Sequence, residues 1–385
     1  MTHAWQEDYR TNIMKSAALP SAELVRGEGA YVWDSEGKKY LDFLGGIAVL
    51  SLGHAHPALV EAVSTQIATL GHVSNYFATP PQLALAERLL RLSGGDRVFF
   101  CNSGAEAIEA GIKLARRTGR PRILSLQNSF HGRTMGSLSL TGKPALREPF
   151  EPLLPNVEHI DSTVEALEAA MGPDVAALVV EPIKGEAGVI DLPDGYLEAA
   201  REITSRHGAL LILDEIQTGA GRTGAWFAFQ KTGIVPDAIA LAKGIGGGVP
   251  IGALVAYGAA AELLTAGQHG TTYGGNPLVT AAANAVLAEI ERADLVSNAE
   301  QRGTEIRAAL TGLPLVEQIR GQGLLIGVGL SAPVSAAVVA SAAAEGLIVN
   351  APNDTSIRLA PALIIDETHI AEFIEKFTKA LEANA

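Results

Sequence analysis

Apolar positions in this chain follow two rhythms that take turns. Short apolar runs, each closed abruptly by a polar or charged residue, alternate with stretches whose apolar positions recur at a helical spacing. Arg97–Cys101, Ile123–Leu126, Ala176–Val180, Ala209–Leu213 and Asp237–Ala242 read as strands buried on both faces. Helices are predicted at Ala58 to about Leu70, Pro81–Ser93, the turn after Ser103 to about Arg117, Tyr196–His207, Gly258–Ala266 and Leu278–Arg292. Alternation of this kind predicts an α/β fold with a mostly parallel, helix-covered sheet.

The two ends of the chain depart from that rhythm. Tyr31–Phe43 reads as a hairpin turning around Ser35–Gly37, and Gly45–Pro57 as a loop. After about Asn298 come a helix to Leu310, strands near Val316–Arg320, Leu324–Leu330, Leu347–Asn350 and Ile357–Leu359, and helices at Val334–Glu345 and Glu367–Glu382. That is a small α+β lobe. The expected division is an N-terminal segment 1–50, a large domain 51–297 and a C-terminal small domain 298–385, with no Pro/Ser-rich linker between them.

Composition narrows the function. The chain has 385 residues and a net charge of −13, which argues against nucleic acid and anionic membrane surfaces as partners. Its one basic cluster, Leu114–Arg122, falls where a helix should end, and cations suit helix C-termini. The single cysteine, Cys101, sits in an apolar run and reads as a buried thiol in a protein of the reducing cytoplasm. The uncharged span Gly321–Ala344 is long enough to cross a bilayer, but Pro333 and its serines and glycines break it into a strand and a helix. The N-terminus lacks the basic and apolar regions of a signal peptide. His54 and His56 have no third ligand at metal-binding spacing.

The chemistry gathers at strand ends, where open α/β sheets bind ligands. Asp214 follows one apolar run and Lys243 another. Alone, the acid would be a helix N-cap and the lysine a solvated side chain. Together, facing one crevice, they suit pyridoxal phosphate, which needs a lysine to hold it covalently and an acid on its ring nitrogen. Asn102-Ser103-Gly104-Ala105 joins a strand to a helix N-terminus, a ready anion site. GxGxxG is absent from this turn and from the Gly244–Gly248 run, and no Walker motif occurs.

The motifs CNSGAEA, SFHGRT, EPIKGEAG, LDEIQTGAGRTG, ALAKGIGGGVPIGA, TTYGGNP and IRLAPAL, in this order, resemble those of the class III, fold-type I pyridoxal-phosphate aminotransferases. The resemblance runs from about residue 25 to 365. It implies a large sheet domain with a smaller lobe, pyridoxal 5'-phosphate as cofactor, and a homodimer with shared active sites. Lys243 is then the catalytic, cofactor-holding lysine and Asp214 the partner of the pyridinium nitrogen. Gln217, placed one helical turn further on, matches the partner of the ring hydroxyl, and Phe130 the residue stacked on the ring. Ser103, Gly104 and Ala105 match the phosphate cradle, and Thr272 the threonine that reaches the partner subunit's phosphate.

Substrate choice is implied by the same matches. Arg133 corresponds to the arginine that grips a distant carboxylate, and Arg358 to the one that grips the oxo acid's α-carboxylate. Glu186 corresponds to the acid that neutralises Arg358 while an amine is bound, and Thr271 is assigned to the substrate side. Ile47 stands where the ornithine-using relatives carry a tyrosine, and an apolar residue suits an acylated amine. The expected substrates are therefore N2-acetylornithine and 2-oxoglutarate, used in ping-pong order. Succinylornithine, ornithine, 4-aminobutyrate and N-acylated lysine-pathway amines remain open. Lys184, where many relatives have glutamine, is expected to be a neutral change.

Overall fold

The computed structural model describes residues 4–16 and 18–385. Its centre is a seven-stranded sheet in the order Arg97–Cys101, Gly252–Ala256, Ala238–Leu241, Leu210–Asp214, Val175–Val180, Arg122–Leu126, Val157–Ile160. The strands run parallel except Gly252–Ala256, which is antiparallel to both its neighbours. Val175–Val180 and Ala238–Leu241 are buried at every position, as expected for central strands covered by helices on both faces. The strands that end at Cys101, Leu126, Val180, Asp214 and Leu241 point their carboxyl ends to one edge, and the site forms there.

Several elements match their predicted bounds residue for residue: Arg97–Cys101, Tyr196–His207 and Glu367–Glu382. Gly104–Arg116 follows an N-cap in which Ser103 Oγ accepts from Glu106 N at 3.2 Å. The basic cluster beyond that helix is consumed locally, Arg122 pairing with Glu158 and with Asp174. The His56 side chain caps the Pro57–Thr69 helix, and His54 Nε2 lies 2.9 Å from Asp42. No cluster of potential metal ligands occurs among the described residues.

Three expectations need correction. Gly258–Ala266 is no α-helix: only Gly258–Glu262 coils, as a short 3-10 segment. Further on, Thr265 N donates to Gln268 Oε1 and Gln268 N to Thr265 O, so a local turn captures groups that a longer helix would need. Leu347–Asn350 is not one strand. Leu347–Ile348 pairs with Lys39–Asp42, while Asn350–Asn353 pairs with Ser356–Leu359, the chain crossing between sheets at Val349. Within Gly45–Pro57, Gly45–Ala48 makes a helical turn with Gly46 and Ile47 at positive φ.

The antiparallel strand Gly252–Ala256 is an addition to the predicted elements. An added Cβ at Gly252 would come within 2.3 Å of the Ser103 carbonyl oxygen, so glycine lets this strand pass directly beneath the anion turn. The C-terminal sheet, Val316–Gln322, Leu325–Leu330, Ser356–Leu359, Asn350–Asn353, is antiparallel throughout and brings Arg358 toward the large sheet. Phe43 stacks on Phe373 with ring centroids 4.3 Å apart, joining the two ends of the chain in one core. Among the described residues no helix is long and apolar enough to cross a membrane.

Candidate active site

A cavity of about 490 Å3 opens at the carboxyl edge of the large sheet. Ser103, Gly104, Ala105, Phe130, Asp214 and Lys243 line it, brought together from three strand ends and the segment after a fourth. Lys243 follows Ala238–Leu241 and holds a positive φ of 44°, a conformation costly for a side-chain-bearing residue and typical of functional sites. Burial lowers its ammonium pKa below 10.5, although the charges of Asp214 and Glu186 pull the other way. The amine therefore loses its proton more readily than an exposed lysine would.

Asp214 is the last residue of its strand and no helix follows, so the N-cap reading does not apply. One carboxylate oxygen accepts from Ile216 N at 3.1 Å, and the other lies 2.7 Å from His131 Nδ1. Both side chains are shielded from solvent, at 4 % and 0 % exposure. His131 Nε2 is buried without a hydrogen-bond partner. At the other end of the cavity the helix that starts at Gly104 presents N–H groups that its own backbone cannot satisfy. A flat ring with a nitrogen at one end and a phosphate at the other fits this donor set, with Phe130 beside it and Lys243 able to bond it. The residues present thus suit the expected cofactor.

On the substrate side the C-terminal sheet contributes Arg358. Arg358 is 1 % exposed and pairs with Glu186, which keeps 27 % of its side chain exposed. Burial alone would raise the Glu186 carboxyl, but the Arg358 guanidinium, with Lys243 and Lys143 adding their charge, holds the pKa below 4.5. Arg358 also donates to Asn350 Oδ1 at 3.1 Å and to Gln217 Oε1 at 3.2 Å. Gln217 lines the cavity from a turn, not a helix, and its amide N–H groups stay free for a ring hydroxyl. Arg133 is exposed at the cavity wall, with its guanidinium carbon 5.6 Å from the Phe130 ring centroid.

Glu186 and Arg358 stand behind Gln217 outside the cavity lining, and two further predicted residues also lie outside it. Thr272 is exposed and outside the cavity of its own chain. Thr271 Oγ1 accepts from Asn102 Nδ2 at 3.0 Å, so in this chain it braces the anion turn and does not line the cavity. Lys184 is not a surface residue. It is buried and donates to Gln127 O at 2.6 Å and Ser162 Oγ at 2.5 Å, because the short Ile183–Lys184 strand turns it inward.

His131 and Glu181 are the site residues that sequence reasoning passed over. Glu181, directly after Val175–Val180, accepts from Phe130 N at 2.8 Å and Gly185 N at 3.1 Å, and burial raises its carboxyl pKa. Its position after a strand is the same signal that singled out Asp214. Cys101 is buried as expected, its thiol pushed up to about 12.

Strand order, cavity and charge pairs suit a pyridoxal-phosphate enzyme, and the comparisons with known proteins give the class as an amino-group transferase. The profile of the aminotransferase class-III family matches residues 14–381. The chain belongs to the class-III aminotransferases. The acetylornithine aminotransferase of Mycobacterium leprae (strain TN) is 52 % identical over 100 % of this chain and 96 % of its own length. Two solved structures share the fold. The N-acetylornithine aminotransferase of Stenotrophomonas maltophilia K279a has a TM-score of 0.84 and 36 % identity, covering 98 % of each chain. The ornithine aminotransferase of Toxoplasma gondii has a TM-score of 0.94 and 33 % identity, covering 98 % of this chain and 94 % of its own. The architecture is thus the fold-type I arrangement expected from the motifs.

Proposed function

We propose that this enzyme moves the δ-amino group of N2-acetylornithine to 2-oxoglutarate, giving N-acetylglutamate 5-semialdehyde and glutamate in arginine biosynthesis. The reading is carried by Lys243 and Asp214 sharing one cavity in a chain 52 % identical, end to end, to an acetylornithine aminotransferase. Pyridoxal 5'-phosphate is the cofactor, and the Toxoplasma gondii neighbour has it at its active site. When bound, it supplies an electron sink for the carbon that loses a proton.

The chain's own residues do the rest. Lys243 holds the cofactor between turnovers. Its amine, which burial helps keep unprotonated, takes a proton from the substrate carbon and returns it one atom away, acting as base and then acid. Asp214, oriented by His131, holds a proton on the ring nitrogen. Ser103, Gly104 and Ala105 bind the phosphate, Phe130 covers the ring, and Gln217 donates to its hydroxyl. The middle segment, 51–297, carries this machinery, and the small domain, 298–385, brings Arg358.

Arg133 binds the carboxylate distant from the reacting carbon. Arg358 is covered by Glu186 while the amine is bound and is released for the α-carboxylate of 2-oxoglutarate. Ile47, on the same turn as the cavity-lining Val49, leaves the acylated nitrogen an apolar surround. A second reading, free ornithine as amine donor, has the higher TM-score of the Toxoplasma gondii enzyme in its favour.

The working form in this proposal is a cytoplasmic homodimer. Thr272 is exposed, and its loop is tied to the 72–75 segment by Asn75 Nδ2 on Thr271 O and by Tyr273 against His72. Beyond that segment Tyr76, Phe77 and Leu83 are exposed, apolar surface of the kind that a partner covers. Mixing Lys243→Ala and Thr272→Ala subunits should regenerate activity in verified heterodimers, and none recovered would count against donation across subunits.

An amine panel with 2-oxoglutarate, read as relative kcat/KM, tests the substrate. N2-acetylornithine should lead; a preference for ornithine or 4-aminobutyrate would replace the reading. Borohydride reduction of the holoenzyme should fix a pyridoxyl mass on the Lys243 peptide, and a label elsewhere would overturn that assignment.

A further inference from the structure

Glu186 lies in the loop between Ile183–Lys184 and Ile190–Asp191, and the backbone of that loop is held from several sides. Gly185 N donates to Glu181 Oε2 at 3.1 Å. The next three carbonyls each accept from a different element: Glu186 O from Lys143 Nζ at 2.6 Å, Ala187 O from Asn353 Nδ2 at 2.9 Å, Gly188 O from Arg320 Nη2 at 2.9 Å. The loop is therefore fixed, and only the Glu186 side chain is free to change partner. If an oxo acid takes Arg358, the displaced carboxylate needs a cation or open water.

Lys143 is placed to receive it. Its ammonium touches the carbonyl of Glu186 itself, so a change of side-chain rotamer can bring the carboxylate into reach. Among the described residues that carbonyl is its one hydrogen-bond partner, and no carboxylate oxygen lies within 4.0 Å of it. An ammonium has three donors, so two remain for an incoming acid. There is also room. A second cavity of about 350 Å3 adjoins the loop, lined by Asn128, Lys143, Lys184, Ala187, Ile190 and Asn353. Lys184 spends its ammonium on neutral acceptors, leaving its charge to favour an anion there. Burial lowers the Lys143 pKa while the Glu186 charge already acts to raise it, consistent with two groups in each other's field.

We propose that Lys143 is the second berth of the Glu186 carboxylate: when the oxo acid binds Arg358, the carboxylate swings onto the Lys143 ammonium. Lys143 is thus a positioning residue that makes opening of the Arg358 site affordable without moving the loop. The inference rests on the Glu186–Arg358 gate described under the proposed function.

Single-turnover rates of the two half-reactions in the holoenzyme test it. Lys143→Met should weaken saturation by 2-oxoglutarate and by glutamate about 10-fold, the worth of one charge-assisted contact, and leave the acetylornithine half-reaction within about twofold. Lys143→Arg should restore the lost step. In a Glu186→Ala background, where no carboxylate needs a berth, Lys143→Met should change 2-oxoglutarate saturation by less than about twofold. Equal loss in both half-reactions, or the same loss with and without Glu186, would overturn the berth and leave a structural lysine. If Glu186→Ala alone fails to shift the ratio of half-reactions, the gate itself has failed. If it shifts the ratio while Lys143→Met does nothing, only the berth has failed.

Discussion

Two acid–base pairs flank this site, and they are built in opposite ways. Asp214 and His131 both follow strands of the large sheet and are sealed from solvent. Glu186 and Arg358 come from different sheets, and the acid keeps part of its surface in water. The first pair is supplied by the large sheet alone and is sealed in its core, which suits a charge that must stay in place through both half-reactions. The second joins the loop after Ile183–Lys184 to the C-terminal sheet and has a solvent-facing member, which suits a contact made and broken in every cycle. In the proposed mechanism similar chemistry serves as a fixture where one sheet supplies both partners and as a switch where separate elements do.

That contrast can be broken at its strong end first. Asp214→Ala should slow both half-reactions together, by about 10^2- to 10^3-fold, the scale of losing a preorganised electrostatic partner. Stopped-flow spectra of each half-reaction check it, and a loss confined to one of them would show that the pair is no fixture. Glu186→Ala should act on one side only. The glutamate half-reaction should gain on the acetylornithine one by about 10-fold, because Arg358 no longer has to be uncovered. If both rates fall by one factor, Glu186 is structural.

The smallest effect concerns a buried acid beside the fixture. Glu215 is pushed up to about 7 from 4.5 by burial, against the bonds from Thr218, Ala228 and Phe229 that favour its charge. A carboxyl with a raised folded pKa takes up a proton on folding. Its contribution to stability is greatest below 4.5 and is lost as pH rises through about 7. Glu215→Gln should therefore flatten the fall in thermal midpoint between about pH 5 and pH 8 without changing the ratio of half-reactions. An unchanged pH slope would show that Glu215 is already ionised in the folded protein.

The fixture was more legible in the sequence than the switch. Asp214, Lys243 and the Ser103–Ala105 turn stand immediately after apolar runs, so strand position alone placed them at one edge. Glu181 carries the same signal, standing directly after the apolar run Ala176–Val180. His131 follows its strand at a distance and acquires meaning only through Asp214, 83 residues later in the chain. Arg358 and Glu186, 172 residues apart, were matched by family resemblance, and nothing in their spacing announces a contact. Lys143 gave no local sign at all, since its partner is a backbone carbonyl.

What the sequence determined by itself is the local order: which segments coil, which extend, and which polar residues close each strand. Apolar period and capping are written into neighbouring residues, and they set the bounds of Tyr196–His207 and Glu367–Glu382. The tertiary structure alone decided that Gly252–Ala256 runs antiparallel between two parallel neighbours, that Leu347–Ile348 and Asn350–Asn353 part company, and that Lys143 reaches the Glu186 loop. Those outcomes depend on where distant backbone and charge come to rest, and a periodicity read over a dozen residues carries no information about that.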